Sequence, residues 1–210
     1  MVAAAIAAAL VARGERVRAF KPVLTGTDEP PDPAWPPDDE LLAAATGQDV
    51  GGVAPYRFGP PVSPHLAAEL AAEAIEPATL LASARAAAAG ADALVVEGVG
   101  GLLVPLTPGY LVRDLACELA LPLVVAARAG LGTINHTLLT LEAARASGLR
   151  VAGVVLTPWS SSPGRLEESN RATIAALGAV EVTTLAMLSE ATPASLAAAG
   201  AALPLDDWLG

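Results

Sequence analysis

Three observations predict an α/β fold, with a doubly wound, mostly parallel sheet and helices on both faces. Short apolar runs alternate with alanine-rich helical segments along the chain. The apolar runs are continuous rather than alternating, as in strands covered on both sides. Glycines follow the helical segments where a left-handed residue would end a helix. In order, the strand candidates are Val17–Phe20, Ala93–Val96, Leu121–Ala126, Val151–Leu156 and Val180–Thr184. The helix candidates are Val2–Ala12 (closed by Gly14), Pro64–Ala74, Pro77–Ala89 (closed by Gly90), Val112–Ala120, Thr133–Ser147 (closed by Gly148) and Leu166–Leu177 (closed by Gly178). The Asp28–Pro37 stretch holds five prolines and reads as a loop, because sheet elements continue on both sides of it. No internal repeat interrupts the pattern, and residues 1–210 read as one domain. The chain opens directly on a helix with no strand feeding it. A buried parallel sheet made this way has a gap or an altered edge, which is costly to leave dry.

Composition excludes several classes of function. The formal charge is −10 and the sequence pI is about 4.5. A net-acidic surface repels phosphate backbones, so no nucleic acid partner is expected. No basic run docks on anionic lipid, and no apolar stretch reads as a membrane span. Val2 to Val11 is too short to cross a bilayer and has no basic segment before it, which argues against a signal peptide. The single cysteine, Cys117, rules out an internal disulfide framework and fits a reducing cytoplasm. It sits mid-helix among Leu115, Leu119 and Ala120, so packing is its expected role. Trp35, Trp159 and Trp208 are scattered and form no stacking platform.

The chain contains one lysine, and arginine supplies the other eleven of its twelve basic side chains. Lys21 therefore does not serve bulk solubility. It lies in Phe20-Lys21-Pro22-Val23-Leu24-Thr25-Gly26-Thr27, where a predicted strand runs into a loop. Ligand sites in open α/β sheets form at such carboxyl ends of strands. A lysine there can neutralise charge developing on a phosphoryl or carbamoyl oxygen, whereas an ordinary loop lysine would be solvated. The same residue excludes the phosphate-cradling pattern G-x-x-x-x-G-K-[ST] from these 210 residues, because Lys21 follows Phe20 and precedes Pro22.

Other segments offer complementary chemistry. In Val95-Val96-Glu97-Gly98-Val99-Gly100-Gly101 a carboxylate ends an apolar strand and meets a glycine-rich turn. Backbone can approach a ligand closely there, and Glu97 can hold Mg²⁺ directly or through water, or else face solvent. Asp38, Asp39 and Glu40 begin a short helix. They either cap it and pair with its dipole, or Asp39 joins Glu97 as a second carboxylate beside a metal. Ala129-Gly130-Leu131-Gly132-Thr133-Ile134-Asn135-His136 follows a strand and starts a helix. Free N–H groups at that helix start suit an anion, and Thr133 as N-cap explains part of the pattern. His136 is open between acid–base work and a hydrogen-bonded helix position. His65 follows Ser63-Pro64, with Ser63 as the expected N-cap.

Together these pieces resemble the dethiobiotin synthetase family, from Val2 to about Gly178. The matching segments are Lys21-Pro22-Val23 with Thr25-Gly26, then Pro55-Tyr56 and Ser63-Pro64-His65, then Val96–Gly101 with Val104-Pro105-Leu106, and Gly132–Thr140. The resemblance implies a P-loop NTPase-like fold and a ligase of biotin biosynthesis using 7,8-diaminononanoate, CO₂, ATP and Mg²⁺. It implies that Lys21 steadies the carbamate and the transferred phosphoryl group, with Thr25 beside the substrate. Asp39 and Glu97 would hold Mg²⁺. The nucleotide would lie along Asp39, Glu97, Gly98, Val99 and Gly100, with Thr157 and Pro158 near its base. Gly132, Thr133, Ile134 and Asn135 would receive the substrate carboxylate from the partner subunit of a cytoplasmic homodimer.

Two departures from the family pattern stand out. Relatives begin with a strand and a P-loop ending Gly-Lys-Thr. Counting back from Lys21 puts Met1 immediately after that threonine, so the expectation is a start placed late in its gene and a chain inactive without the P-loop. Many relatives also place Asn-Asp after the strand Val151–Leu156, where this chain has Thr157-Pro158. Proline offers no N–H and no side-chain acceptor, so other nucleoside triphosphates are expected to substitute for ATP. The alternatives are an inactive homologue retained for dimerisation or regulation, and another P-loop amidoligase or ATPase.

Overall fold

The computed structural model describes residues 1–30, 32 and 35–209. Part of the expected proline-rich loop, at residues 31, 33 and 34, lies outside the described residues. The fold is α/β with parallel strands, as the sequence predicts. The chain begins with α1 (Val2–Ala12), β1 (Val17–Phe20), β2 (Val23–Thr25) and α2 (Asp38–Thr46). A single turn of 3₁₀ helix at Val50–Gly52 leads to β3 (Tyr56–Phe58), α3 (Pro64–Ala71), α4 (Pro77–Ala88) and β4 (Ala93–Val96). A hairpin of β5 (Pro105–Thr107) and β6 (Tyr110–Leu111) precedes α5 (Val112–Leu119). The second half runs β7 (Leu123–Ala127), α6 (Thr133–Ala146), β8 (Val151–Trp159), α7 (Arg165–Gly178), β9 (Val182–Ala186), α8 (Pro193–Gly200) and α9 (Leu205–Leu209).

The parallel strands pair as β1 with β4, β2 with β3, and β7–β8–β9. Among the described residues, β4 pairs with β1 alone and β7 with β8 alone. All four residues of β4 are half-buried, in contrast to the fully covered strand that its apolar sequence suggests. A strand with an unpaired edge keeps part of its surface open. Helix α1 bridges the β1–β4 pair and the β7–β8–β9 sheet. Its Ala4, Ala5, Ala7, Ala8, Ala9 and Leu10 are buried in a cluster that also contains Val17, Val155, Leu185 and Leu196. Val95 of β4 and Val124 of β7 pack against the same cluster. Alanine is what permits this contact, because small side chains bring helices close. A methyl group added at Gly200 of α8 would lie 2.0 Å from the Ala5 carbonyl oxygen.

Several expectations are corrected. Val23–Thr25 is a strand rather than loop, because buried Val23 and Leu24 extend beside Tyr56–Phe58. Strand β8 runs past Leu156 to Trp159. Its ladder with β9 becomes irregular between those residues, where Pro158 has no N–H to donate. Gly14, Gly90 and Gly148 take positive φ after their helices as expected, but Gly178 stays helical and Ala179 takes the left-handed turn at φ 44°. Gly178 serves close packing instead, since a Cβ there would meet Leu141 Cδ1 at 2.8 Å.

Candidate active site

The ladder between β1 and β4 sets the site. Phe20 is the register partner of Val96, so Lys21 and Glu97 are the next residues out of the two strands. The Glu97 N–H donates to the Phe20 carbonyl at 2.9 Å, and the Lys21 N–H donates to the Val53 carbonyl at 2.9 Å. Both backbones are thereby fixed at the carboxyl edge of the sheet, where open α/β folds place their ligands.

Lys21 is only 5% exposed, and its ammonium lies between two carboxylates. Nζ is 2.8 Å from Glu97 Oε1 and 2.7 Å from Asp38 Oδ2. Burial works against the lysine's charge, but the attraction of Glu97 and Asp38 outweighs it and raises the pKa above the ordinary value. For Asp38, burial pushes the pKa up, while Lys21 pulls it down with help from Glu97 and the α-amino group of Met1. The net position is below the usual carboxylate range.

Asp38 is the first residue of α2, but the N-cap is Pro37 and no side-chain capping bond is made. The capping expected of the acidic run is therefore absent, and Asp38 turns to Lys21. Asp39, one residue and about 100° further round the helix, faces another way. It is buried, and its Oδ2 accepts a short hydrogen bond from Arg57 Nη1. Arg57 sits between buried Tyr56 and Phe58 on β3, so the strand's alternation turns it to the opposite face. Its Nη2 donates to the Val50 carbonyl at 2.8 Å. Asp38 as a partner of Lys21 and Arg57 as a partner of Asp39 were both missed from sequence. The alternation of Tyr56-Arg57-Phe58 was the available sign for Arg57.

The expected second carboxylate, Asp39, is thus tied to Arg57, while the carboxylate meeting Glu97 around the lysine is Asp38. Asp39 Oδ1 is buried with no hydrogen-bond partner, an acceptor suited to a hard cation. Among the described residues, no group of three or more His, Cys, Asp or Glu side chains gathers to hold a metal. A Mg²⁺ ion on Asp38 or Glu97 would complete its shell with water and phosphate oxygens, its usual habit.

Thr25 ends β2, half-buried. Val99 turns inward, packing with Leu106 and Leu115, so only its backbone is open to a ligand. Gly100, at φ 67°, lines a cavity of about 530 Å³ together with Arg128, Leu131, Thr133, His136 and Thr137. The structure therefore brings the glycine-rich turn after β4 together with the start of α6. The N-cap of α6 is Gly132, at φ 90°, rather than Thr133. That position has left-handed geometry, which threonine adopts only at a cost. Thr133 is instead buried, its hydroxyl 3.3 Å from that of Thr137. Ile134 packs against the apolar cluster beneath β7 and β8, and Asn135 and His136 are exposed. Ser63 is the N-cap of α3 but makes no side-chain capping bond, and His65 Nδ1 is buried without a partner. At the end of β8, Thr157 Oγ1 is likewise buried and unpartnered, and a cis peptide joins Thr157 to Pro158. Cys117 packs as expected, with Sγ 3.6 Å from the Ser147 carbonyl.

A family model described as "AAA domain" matches residues 1–193. An ATP-dependent dethiobiotin synthetase from Anaeromyxobacter dehalogenans (strain 2CP-1) is 45% identical over 157 residues, covering 74% of this chain and 69% of the relative. One from Mycobacterium sp. (strain JLS) is 37% identical over 210 residues, covering 98% of this chain and 90% of the relative. The chain belongs to the dethiobiotin synthetase family. Against one further dethiobiotin synthetase, from Anaeromyxobacter sp. (strain K), the match is 48% identical but spans only 56% of that protein's length. The segments that resemble the synthetases, from Lys21 to Thr140, all fall within the residues matched by the family model.

Proposed function

We propose that this chain is an ATP-dependent dethiobiotin synthase, closing the ureido ring of dethiobiotin on 7,8-diaminononanoate in biotin biosynthesis. The observation that carries the reading is the buried Lys21, fixed at the carboxyl edge of β1 and β4 in a member of this family. One substrate amine adds to CO₂ and loses a proton, giving a carbamate. A carbamate oxygen takes the γ-phosphoryl group of ATP with release of ADP. The second amine then attacks the activated carbonyl carbon, and phosphate leaves as the ring closes. Lys21 supplies fixed positive charge for the carbamate and for the phosphoryl oxygens during transfer. Thr25, half-buried at the end of β2, would stand beside the substrate.

The nucleotide follows the backbone of Gly98, Val99 and Gly100, where the absence of side chains at two positions allows close approach. Glu97 would hold Mg²⁺ together with Asp38, the carboxylate that meets it at Lys21, while Asp39, expected from sequence as the second ligand, is turned to Arg57; the ion when bound neutralises charge on the phosphate oxygens. The start of α6, Gly132–Asn135, has no side-chain cap; the Thr133 N–H already donates to the Gly130 carbonyl at 3.3 Å, and the N–H groups beside it would receive the substrate carboxylate across a homodimer interface. A lone cysteine suits a reducing cytoplasm. Among the described residues, no helix is long and apolar enough to cross a membrane.

The test is direct. The full-length gene product, given 7,8-diaminononanoate, bicarbonate and Mg²⁺–ATP, should yield dethiobiotin by mass spectrometry with one ADP per ring closed. ATP consumption without dethiobiotin would refute the substrate assignment.

A further inference from the structure

We infer that Gln48 is a positioning residue for Lys21: its side-chain amide stands in for a neighbouring strand on the outer edge of β1 and pins that strand to α2, whose first residue meets the lysine. The inference rests on the proposed role of Lys21 in the chemistry. Among the described residues, β1 has one strand partner, β4, so its opposite edge must find hydrogen bonds elsewhere. Ala19, two residues before Lys21 and fully buried, turns both its backbone groups to that edge. Gln48 Oε1 accepts from the Ala19 N–H at 2.8 Å, and Gln48 Nε2 donates to the Ala19 carbonyl at 3.0 Å. A side-chain amide offers an acceptor and donors as a peptide group does, so it completes the ladder that a parallel strand would. The pattern continues at Lys21, whose N–H points the same way and donates to the Val53 carbonyl at 2.9 Å.

The same two bonds join separate parts of the site. Helix α2 opens at Asp38 without a side-chain capping bond and closes at Gly47, where φ is 70°. Gln48 is the next residue. The segment from Asp38 to Val53 therefore touches Lys21 twice, at the ammonium through Asp38 at 2.7 Å and at the backbone through Val53. Gln48 grips β1 between those two contacts. Its amide has one workable orientation. Oε1 also lies 3.1 Å from the Thr46 hydroxyl, and a flipped amide would set donor against the Ala19 N–H and oxygen against the Ala19 carbonyl. On the inner edge of β1, the Glu97 N–H holds the Phe20 carbonyl. With Gln48 on the outer edge, the strand is held from both sides just before the lysine. The ammonium is then delivered to a fixed place between Glu97 and Asp38.

Two variants test the pin. Gln48→Met keeps the length of the side chain and removes both bonds. Gln48→Glu keeps the acceptor for the Ala19 N–H and puts an oxygen where the donor was. In turnover of the full-length gene product with 7,8-diaminononanoate, bicarbonate and Mg²⁺–ATP, both should lower kcat about tenfold and leave KM for the diamine within about twofold. A displacement of about 1 Å at a reacting group can cost about a hundredfold, while contacts that bind the substrate stay in place. The second readout is spectroscopic. Lys21 is the one lysine of these 210 residues, so the chain grown on lysine labelled with ¹³C at the ε-carbon and ¹⁵N at the ζ-nitrogen gives one side-chain resonance, which K21R removes. That resonance should shift or broaden in both variants, as the ammonium loses its fixed place. A calorimetric scan separates position from stability. If Tm falls while kcat per folded molecule and the Lys21 resonance match wild type, Gln48 serves stability alone and the inference is overturned. If the resonance moves but kcat holds, Gln48 places a lysine that turnover does not need, and the inference falls together with the role of Lys21. If the wild-type protein makes no dethiobiotin, the proposed function fails, and the resonance by itself upholds or overturns the hold of Gln48 on Lys21.

Discussion

Lys21→Gln separates the part proposed for the lysine in the chemistry from its part in the fold. Glutamine keeps nearly the same length and two N–H donors but no charge. On the chemical side, one fixed donor aimed at developing charge contributes on the order of 10²–10³ in rate, so turnover should fall by that factor. On the folding side, the change strands Asp38 and Glu97 beside each other without their cation. Breaking a fully buried pair costs about 3–5 kcal/mol, whereas exposed pairs contribute about 0–1. Here the lysine is buried but Asp38 is half-exposed, so about 1–2 kcal/mol is expected. For a chain of this size that lowers Tm by about 2–8 °C, leaving the variant folded at 25 °C. Dethiobiotin formation at 25 °C and a calorimetric scan of the same preparation measure the two effects. Near-normal turnover would remove Lys21 from the chemistry. An unchanged or higher Tm would show that solvent already screens the ion pairs and that the lysine is kept for reaction alone.

Other expectations test separate parts of the structure. Glu97→Gln and Asp38→Asn should each raise the Mg²⁺ concentration for half-maximal turnover by about tenfold, the scale on which a lost outer or inner ligand weakens a metal; unchanged titrations would take both out of the metal site. CTP or GTP should support turnover within about a hundredfold of ATP, because Pro158 gives a base no side-chain hydrogen bond; strict ATP dependence would defeat this. Asp92, whose carboxylate accepts three hydrogen bonds from Arg16, is held near pKa 2 by those bonds. Its contribution to stability should be complete above about pH 4 and lost as pH falls through 2, which an NMR titration of its carboxyl carbon checks directly. Gly200→Ala should destabilise by about 1–2 kcal/mol, because overpacking against Ala5 outweighs the helix propensity gained; a more stable variant in denaturant unfolding would mean that α8 shifts freely on α1.

The readable part of the fold was the part whose burial is written into local pattern. β1, β4, α1 and α6 stand out because their apolar runs are continuous or their ends carry glycine. β2 and β3 were missed because three residues each are too short for a period, and their pairing is between segments some thirty residues apart. Lys21 and Glu97 were legible as strand-end residues. Their contact was not, since it depends on the β1–β4 register, which no local pattern encodes. Asp38 and Asp39 show the limit most sharply. Two identical side chains share one helix start, and only the phase of α2 relative to β1 and β3 decides which takes the lysine and which takes Arg57.

That division has a consequence for the proposed chemistry. Lys21 and Arg57 face Asp38, Asp39 and Glu97, so the cluster is formally one charge negative. A triphosphate approaching it alone meets repulsion from three carboxylates, and the nearest cation is already engaged. On the proposed function, a nucleotide that arrives with a divalent cation would meet the carboxylates around Lys21 as ligands rather than as repelling charges. The surplus of acid around the lysine would then favour the magnesium complex of ATP over bare ATP.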